Sequence, residues 1–286
     1  MDEELTMDTM LSTHPRLKAV PFRQKQELYG AAPDADVLLI PDIPAGKYQV
    51  GYAVSPAAIE QVLRLRYLVF NVELGEGLAD GALSGLDQDP FDEQMTQLVL
   101  LDAASHQIVG TYRIQSAPHA LAHRGLYSAQ EYDTAPLAPY LDETLELGRA
   151  CLAKEHRAMD ALLTLWAGLG HFMNLHKLYY LMGCCSITTT DPDDGWRALK
   201  TLRDKNYMHP ELYLRALPDY SCGSEARLDA ADLGPALKLP KLFRIYLLLC
   251  AHIISEPALD QEFGTVDFLT FMDGRQVKLS QLDLLK

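Results

Sequence analysis

Two strand-like runs stand side by side in the middle of the chain, Gln97-Leu-Val-Leu-Leu-Asp102 and Gln107-Ile-Val-Gly-Thr-Tyr-Arg-Ile114, with four residues between them. So short a turn joins strands as an antiparallel hairpin. Elsewhere strands alternate with helices. Tyr48–Val54 alternates as a strand does; Ser55-Pro56 then supplies an N-cap and a first-turn proline for a helix carrying Ile59, Val62, Leu63, Leu65, Arg66, Val69 and Phe70, which Gly75 and Gly77 end. Downstream come a short helical region around Ser128–Tyr132, a strand Leu145–Leu152, a helix over about 159–176 and an apolar strand Tyr179–Ile187. Asp191-Pro192 opens a helix to about Lys205; an apolar helix near 239–254 and a strand Thr265–Met272 complete the pattern. This order predicts an α/β class with a mixed central sheet flanked by helices. Residues 1–45, rich in proline with one apolar run at Val37–Ile40, read as an N-terminal arm; 46–286 read as one domain with C-terminal decoration from about 206.

The chain has 286 residues, 48% of them hydrophobic, enough for a large core. Its net charge of −14 argues against nucleic acid as a partner, because phosphate neutralisation needs a basic surface. Cations are nevertheless grouped: Lys154, His156 and Arg157; Arg197, Lys200, Arg203 and Lys205; Lys238, Lys241 and Arg244. Each is either a solvated face or a patch for an anionic partner. The acidic N-terminus lacks a secretory pattern, and the longest apolar stretch, Leu242–Ile254, is broken by Arg244 and His252 and too short to span a bilayer. The expected location is the cytoplasm. The apolar helix near 239–254 is expected to pack in the core, with peripheral contact at the inner membrane as the other reading. Five cysteines without a CxxC pair give neither a disulfide framework nor a zinc site.

Charges inside apolar strands are the chemical signal. Glu146-Leu-Gly-Arg149 interrupts a strand in which simple alternation puts Glu146 and Arg149 on opposite faces. A half-buried carboxylate is either paired with a cation or shifted in pKa, and both occur in catalytic sites. Arg113 closes the second hairpin strand; Arg66 lies on the first helix, and Asp87, Asp89 and Asp92 crowd a glycine-rich loop. Asp191, Asp193 and Asp194 suit helix capping better than a metal. Cys184-Cys185 invites a covalent acyl-enzyme, but no histidine is evidently paired with it.

Taken in order, Arg66-Tyr-Leu-Val-Phe70, Asp89-Pro-Phe-Asp92, Gly110-Thr-Tyr-Arg113 and Glu146-Leu-Gly-Arg149 resemble the acyl-homoserine-lactone synthase branch of the GNAT superfamily. Glu146–Arg157, Gly183-Cys-Cys-Ser with Thr190-Asp-Pro, and the ending from Pro257 to Asp267 are similar to the hemolysin-like ornithine N-acyltransferases of ornithine-lipid synthesis. The resemblance covers about residues 48–272. It implies a GNAT fold and transfer of a 3-hydroxy fatty acyl group from acyl carrier protein to the amine of ornithine, forming a lyso-ornithine lipid. It also implies that Glu146 and Arg149 lie at the active site, with Arg66, Phe70, Asp89, Asp92 and Arg113 binding substrate or ordering that site.

An amine attacks a thioester only as its free base, which makes Glu146 the candidate proton acceptor. Backbone N–H groups near Ala150–Ala153 are the candidate oxyanion donors. Asp89 and Asp92 either hold the cationic acceptor or brace Arg66 and Arg149. Where acetyl-CoA users carry a glycine-rich pyrophosphate loop, this chain reads His156-Arg-Ala-Met-Asp-Ala without glycine. That departure favours a phosphopantetheine arm on a carrier protein, met by Lys154, His156 and Arg157, with no permanently bound cofactor and no metal. The tryptophan that lactone synthases carry after Val-Phe is absent, which favours the ornithine branch. The runner-up keeps the chemistry with another amine acceptor; a non-catalytic carrier-binding or membrane-associated regulator is the reading from a different class.

Overall fold

The computed structural model describes residues 36–44, 46–229, 233–235 and 237–277. Most of the expected N-terminal arm, residues 1–35 and 45, lies outside the described residues, as do 230–232, 236 and 278–286 of the C-terminal region. In chain order the strands are β1 (Val37–Leu39), β2 (Tyr48–Ala53), β3 (Thr96–Asp102), β4 (Ile108–Ser116), β5 (Thr144–Leu152), β6 (Tyr180–Ile187), β7 (His252–Ile253), β8 (Ala258–Asp260) and β9 (Thr265–Asp273). The helices are α1 (Pro56–Tyr67), α2 (Gly81–Ser84), α3 (Ala117–Leu121), α4 (Met159–His176), α5 (Pro192–Asp204) and α6 (Lys241–Leu248).

The described residues form two compact units: one of residues 36–116 with Leu147–Leu178, the other of Ala117–Glu146 with those from Tyr179 onward. In the first, β1 to β4 form an antiparallel meander with Tyr48 opposite Asp102 and Gln97 opposite Arg113. Apolar side chains on β2 and β3 give α1 and α4 a surface to cover, and Val50, Val62, Leu98, Val99 and Leu165 are buried there. Ser55 caps α1, its Oγ accepting the Ala58 N–H at 3.1 Å. Beyond Tyr67 the helix widens into a π-helical segment, Leu68–Leu74, which ends at Gly75 in the left-handed conformation (φ 71°).

In the second unit β6 pairs in parallel with the start of β5, Thr144–Glu146 against Tyr180–Met182, and antiparallel with β9 along its whole length. Alternation then sorts the side chains of β6 and β9. Cys185, Ile187, Val266 and Phe268 pack with Trp196, Leu199 and Leu202 of α5 and Phe243 and Leu247 of α6. Met182, Leu269 and Phe271 pack with Tyr132, Leu137 and Leu214.

The nine strands and their flanking helices bear out the mixed α/β expectation. Three local readings need correction. β4 runs on to Ser116, so Arg113 sits inside the strand and does not close it. The helix expected over 239–254 is α6 alone, eight residues long; Cys250 takes a left-handed conformation (φ 66°), and His252-Ile253 then pair with β9 as β7. Phe243, Ile245 and Leu247 of α6 are buried, so its apolar face belongs to the core. Finally, alternation along β5 stops at Arg149, which has φ 48°.

A close approach fixes β5 on β4: a Cβ on Gly110 would lie 2.5 Å from Leu152 Cδ2 and 3.3 Å from Leu100 Cβ. Gly110→Val is expected to cost about 1–3 kcal/mol by overpacking, read as a lowered urea midpoint. An unchanged midpoint would show that this contact is looser than described.

Candidate active site

Six charged side chains converge in the first unit. Arg66 comes from the last turn of α1, Asp87, Asp89 and Asp92 from the loop after α2, Arg113 from β4 and Arg149 from β5. Asp89 caps the turn Pro90–Glu93, its side chain accepting the Phe91 N–H at 2.8 Å, while the Asp89 N–H donates to Asp92 Oδ2 at 2.9 Å. This reciprocal cap points both carboxylates at the arginines.

Arg66 is fully buried. Its Nε donates to Asp87 Oδ2 at 3.0 Å, and its Nη1 and Nη2 donate to the two oxygens of Asp92 at 2.6 and 3.2 Å. Arg113 Nη1 lies 2.6 Å from Asp89 Oδ1 and 3.2 Å from Asp92 Oδ1. Arg149 bridges Asp87 and Asp89, with Nε 3.3 Å from Asp87 and Nη2 3.3 Å from Asp89. Gln97 adds a donor to Asp92 at 2.9 Å. Three guanidiniums therefore face three carboxylates. Burial opposes ionisation of Asp92, but Arg66 and Arg113 outweigh it and hold the carboxyl well below its usual range. Asp87 is held low in the same way by Arg149 and Arg66. The expected site residues Arg66, Asp89, Asp92, Arg113 and Arg149 are thus brought together. Asp87, noted only as part of an acidic loop, joins them as a full partner. Phe70 is buried in the π-helical segment that continues α1.

Glu146, in the second unit, keeps different company. Its Oε2 accepts the Tyr127 N–H at 2.9 Å, and its Oε1 accepts the Ser128 N–H at 2.9 Å and the Ser128 hydroxyl at 2.8 Å. The carboxylate is almost fully buried. It anchors the turn Ser128–Gln130, a link that strand periodicity cannot show.

The expected oxyanion donors need revision at one end: the Ala153 N–H donates to Val109 O at 2.8 Å and is committed to the sheet. Lys154, His156 and Arg157 share one short turn and are held differently. Lys154 is exposed. His156 Nδ1 sits 3.1 Å from the Tyr48 hydroxyl. Arg157 forms a two-pronged pair with Glu73, at 2.5 and 2.7 Å, and donates from Nε to Leu152 O at 3.1 Å.

The vicinal cysteines lack the chemistry of a nucleophile. Burial, then the nearby carboxylates of Glu131 and Asp267, push the Cys184 thiol well above its ordinary range, and burial pushes Cys185 up to about 12. Ligand atoms of Glu131, Cys184 and Asp267 lie within 4.8 Å of one another.

Residues 65–167 match the family described as acetyltransferase (GNAT) domain. Over 254 residues the chain is 32% identical to the L-ornithine N(alpha)-acyltransferase of Brucella abortus (strain 2308), a match covering 82% of this chain and 87% of that protein. The chain belongs to the L-ornithine N(alpha)-acyltransferase family. A second member, from Rhodobacter capsulatus, is 31% identical over 233 residues, with 79% of this chain and 90% of that protein covered. Among solved structures, FeeM, an N-acyl amino acid synthase from uncultured soil microbes, matches with a TM-score of 0.48 at 13% identity, covering 84% of this chain and 99% of that one. This family member is an N-acyltransferase with a GNAT domain, and no helix among its described residues is long and apolar enough to cross a membrane.

Because Asp92 is held low in the folded state, the stability it contributes is present above its ordinary value of 3.8 and lost as pH falls below that. Asp92→Asn is expected to destabilise the fold by about 3–5 kcal/mol at neutral pH, leaving buried arginines short of charge. Denaturant titrations from pH 7 to pH 3 check this: the gap between the two proteins should narrow towards acid, and a constant gap would contradict the assignment.

Proposed function

We propose that this enzyme transfers a 3-hydroxy fatty acyl group from acyl carrier protein to the α-amine of L-ornithine, giving a lyso-ornithine lipid. The observation that carries the reading is identity of 30% or more, over about four fifths of the chain, to enzymes named for Nα-acylation of L-ornithine. Strand β5 gives the reading its chemistry, with a buried carboxylate at Glu146 and a left-handed arginine three residues on.

The ornithine ammonium must lose a proton before nitrogen can attack the thioester carbonyl. Glu146, oriented by the Tyr127 and Ser128 donors, accepts that proton. Nitrogen then bonds to the carbonyl carbon, the C–S bond breaks, and the pantetheine sulfur leaves as a thiolate that takes up the second proton shed by the nitrogen as the amide forms. No acyl-enzyme is required, in keeping with the raised cysteine thiols.

Arg149 stands at the reacting end of β5, held by Asp87 and Asp89. Arg66, Asp92 and Arg113 brace the loop that carries those carboxylates, and Phe70 is buried in the π-helical segment that continues α1. With three positive and three negative charges the cluster has little net attraction for an ammonium, which favours bracing over direct capture. Asp89 is the most exposed of its carboxylates, at 11%, and the one left for the acceptor to reach. Lys154, His156 and Arg157 meet the acidic carrier that bears the arm, Arg157 adding direction more than charge because Glu73 already pairs with it. The reaction belongs in the cytoplasm, next to the inner membrane that receives its product.

Mass spectrometry of lipids from a host expressing the protein should reveal a new ornithine amide; a different head group would overturn the acceptor. Glu146→Gln should lower kcat by about 10²–10⁴-fold. Ser128→Ala keeps the carboxylate and removes one of its three donors, so its loss should be far smaller. If both variants lose activity and melting temperature alike, Glu146 is an anchor and not the base.

A further inference from the structure

The third basic group of the sequence, Lys238, Lys241 and Arg244, is not absorbed by the mechanism above. In the structure all three line one cavity of about 430 Å³, together with Ile187, Thr188 and Thr189 at the end of β6 and Leu237, Leu239 and Pro240 before α6. Four other arginines of this unit are paired: Arg197 with Asp194, Arg203 with Glu225, Arg227 with Asp193 and Arg275 with Asp273. Lys238, Lys241 and Arg244 have no carboxylate partner among the described residues.

Asp194 is the one carboxylate among the cavity's lining residues. It is matched by Arg197, and its Oδ2 accepts the Thr189 hydroxyl at 2.6 Å. Helix α6 opens into the same space with Pro240 at its N-cap and no side-chain cap. Its first-turn N–H groups and the positive end of its dipole add to the three side-chain cations. The cavity's lining therefore combines three cations with the aliphatic surface of Ile187, Leu237, Leu239 and Pro240.

We infer that this cavity binds a phosphate ester carried on a branched aliphatic stem, and that its occupant is the phosphate end of the acyl donor's phosphopantetheine arm. The second half of the inference rests on the donor proposed above. Phosphate suits an uncapped helix start flanked by lysines and an arginine. The gem-dimethyl carbon beside that phosphate suits the aliphatic wall. Length agrees as well. Ile187 lies five residues along β6 from Met182, the residue opposite Glu146, a span of about 17 Å at strand rise. The arm holds about thirteen covalent bonds between phosphorus and sulfur, or roughly 15 Å at the reach of an extended chain. A phosphate at the end of β6 would leave the thioester close to the level of Glu146. It also supplies the anion site that the glycine-free stretch after β5 does not.

The test pairs two ligands that differ by the phosphate alone. Calorimetry on the full chain would measure binding of 4′-phosphopantetheine and of pantetheine, to wild type and to the triple variant Lys238→Ala, Lys241→Ala, Arg244→Ala, whose mutated side chains are all exposed. The variant should raise Kd for phosphopantetheine by about 10–100-fold and leave pantetheine unchanged, since exposed cations act on the phosphate charge. Equal changes for both ligands, or no change for either, would overturn the inference. Vesicles containing phosphatidylglycerol separate the other source of phosphate. If the variant loses vesicle binding while phosphopantetheine binding stays, the cavity is a lipid headgroup site and the donor assignment falls. Binding is read without turnover, so the two proposals fail separately. Charge-dependent binding without any ornithine amide would sink the proposed function alone; amide formation with charge-independent binding would sink the cavity alone.

Discussion

Three arginines and three aspartates, most of them nearly dry, hold together parts of the first unit that are far apart in sequence. Buried ion pairs stabilise little relative to well-packed apolar groups, because desolvation cancels much of the attraction. Their effect here is positional. Arg66 ties the end of α1 to the loop, Arg113 ties β4 to it, and Arg149 brings β5 to Asp87 and Asp89 of that loop. A non-glycine residue in the left-handed region costs on the order of 1–3 kcal/mol and persists only where its surroundings fix it. At Arg149 those surroundings are Asp87 and Asp89. Losing them would remove two of the contacts that hold the turn at Arg149.

Glu146 is likewise fixed in position by its neighbours. Two N–H groups and a hydroxyl make it a well-oriented carboxylate, and orientation is what a general base needs first. It also makes the carboxylate the anchor of the turn Ser128–Gln130. Role and anchorage are therefore tied to one another in a way that a single substitution at Glu146 cannot separate, whereas a change at Ser128 can.

Local signals in the sequence were legible where one residue type has one physical job. Ser55 and Asp191 both cap helices as their positions suggest, Gly75 closes the π-helical segment, and the apolar period of 159–176 matches α4. Strands β7 and β8 were not legible, since two or three residues carry no period. The start of the expected C-terminal decoration also forms backbone bridges that no period announces, through Met208, Leu214 and Ser221. At the site, the sequence displayed the charges but not their pairing. Asp87 and Glu73 became partners of Arg149 and Arg157 through tertiary structure alone. Most telling is the turn in β5: Gly148 is the residue whose chemistry suits a positive φ, yet Arg149 adopts it. Long-range ionic contacts override local preference there.

Charge balance then constrains how an acidic enzyme can meet an acidic carrier. With a net charge of −14 the chain repels such a partner at long range, and screening confines any attraction to within about 8–10 Å at physiological salt. Only cations not already neutralised by the protein's own carboxylates count at that distance. Arg157 is held by Glu73, and the site arginines are matched one for one by aspartates. Lys238, Lys241 and Arg244 are not so matched among the described residues. If the donor is a carrier-bound thioester, its phosphate is the one anion small enough to enter a positive cavity without bringing the carrier's acidic surface inside. Selection for the arm and tolerance of the carrier would then come from the same feature.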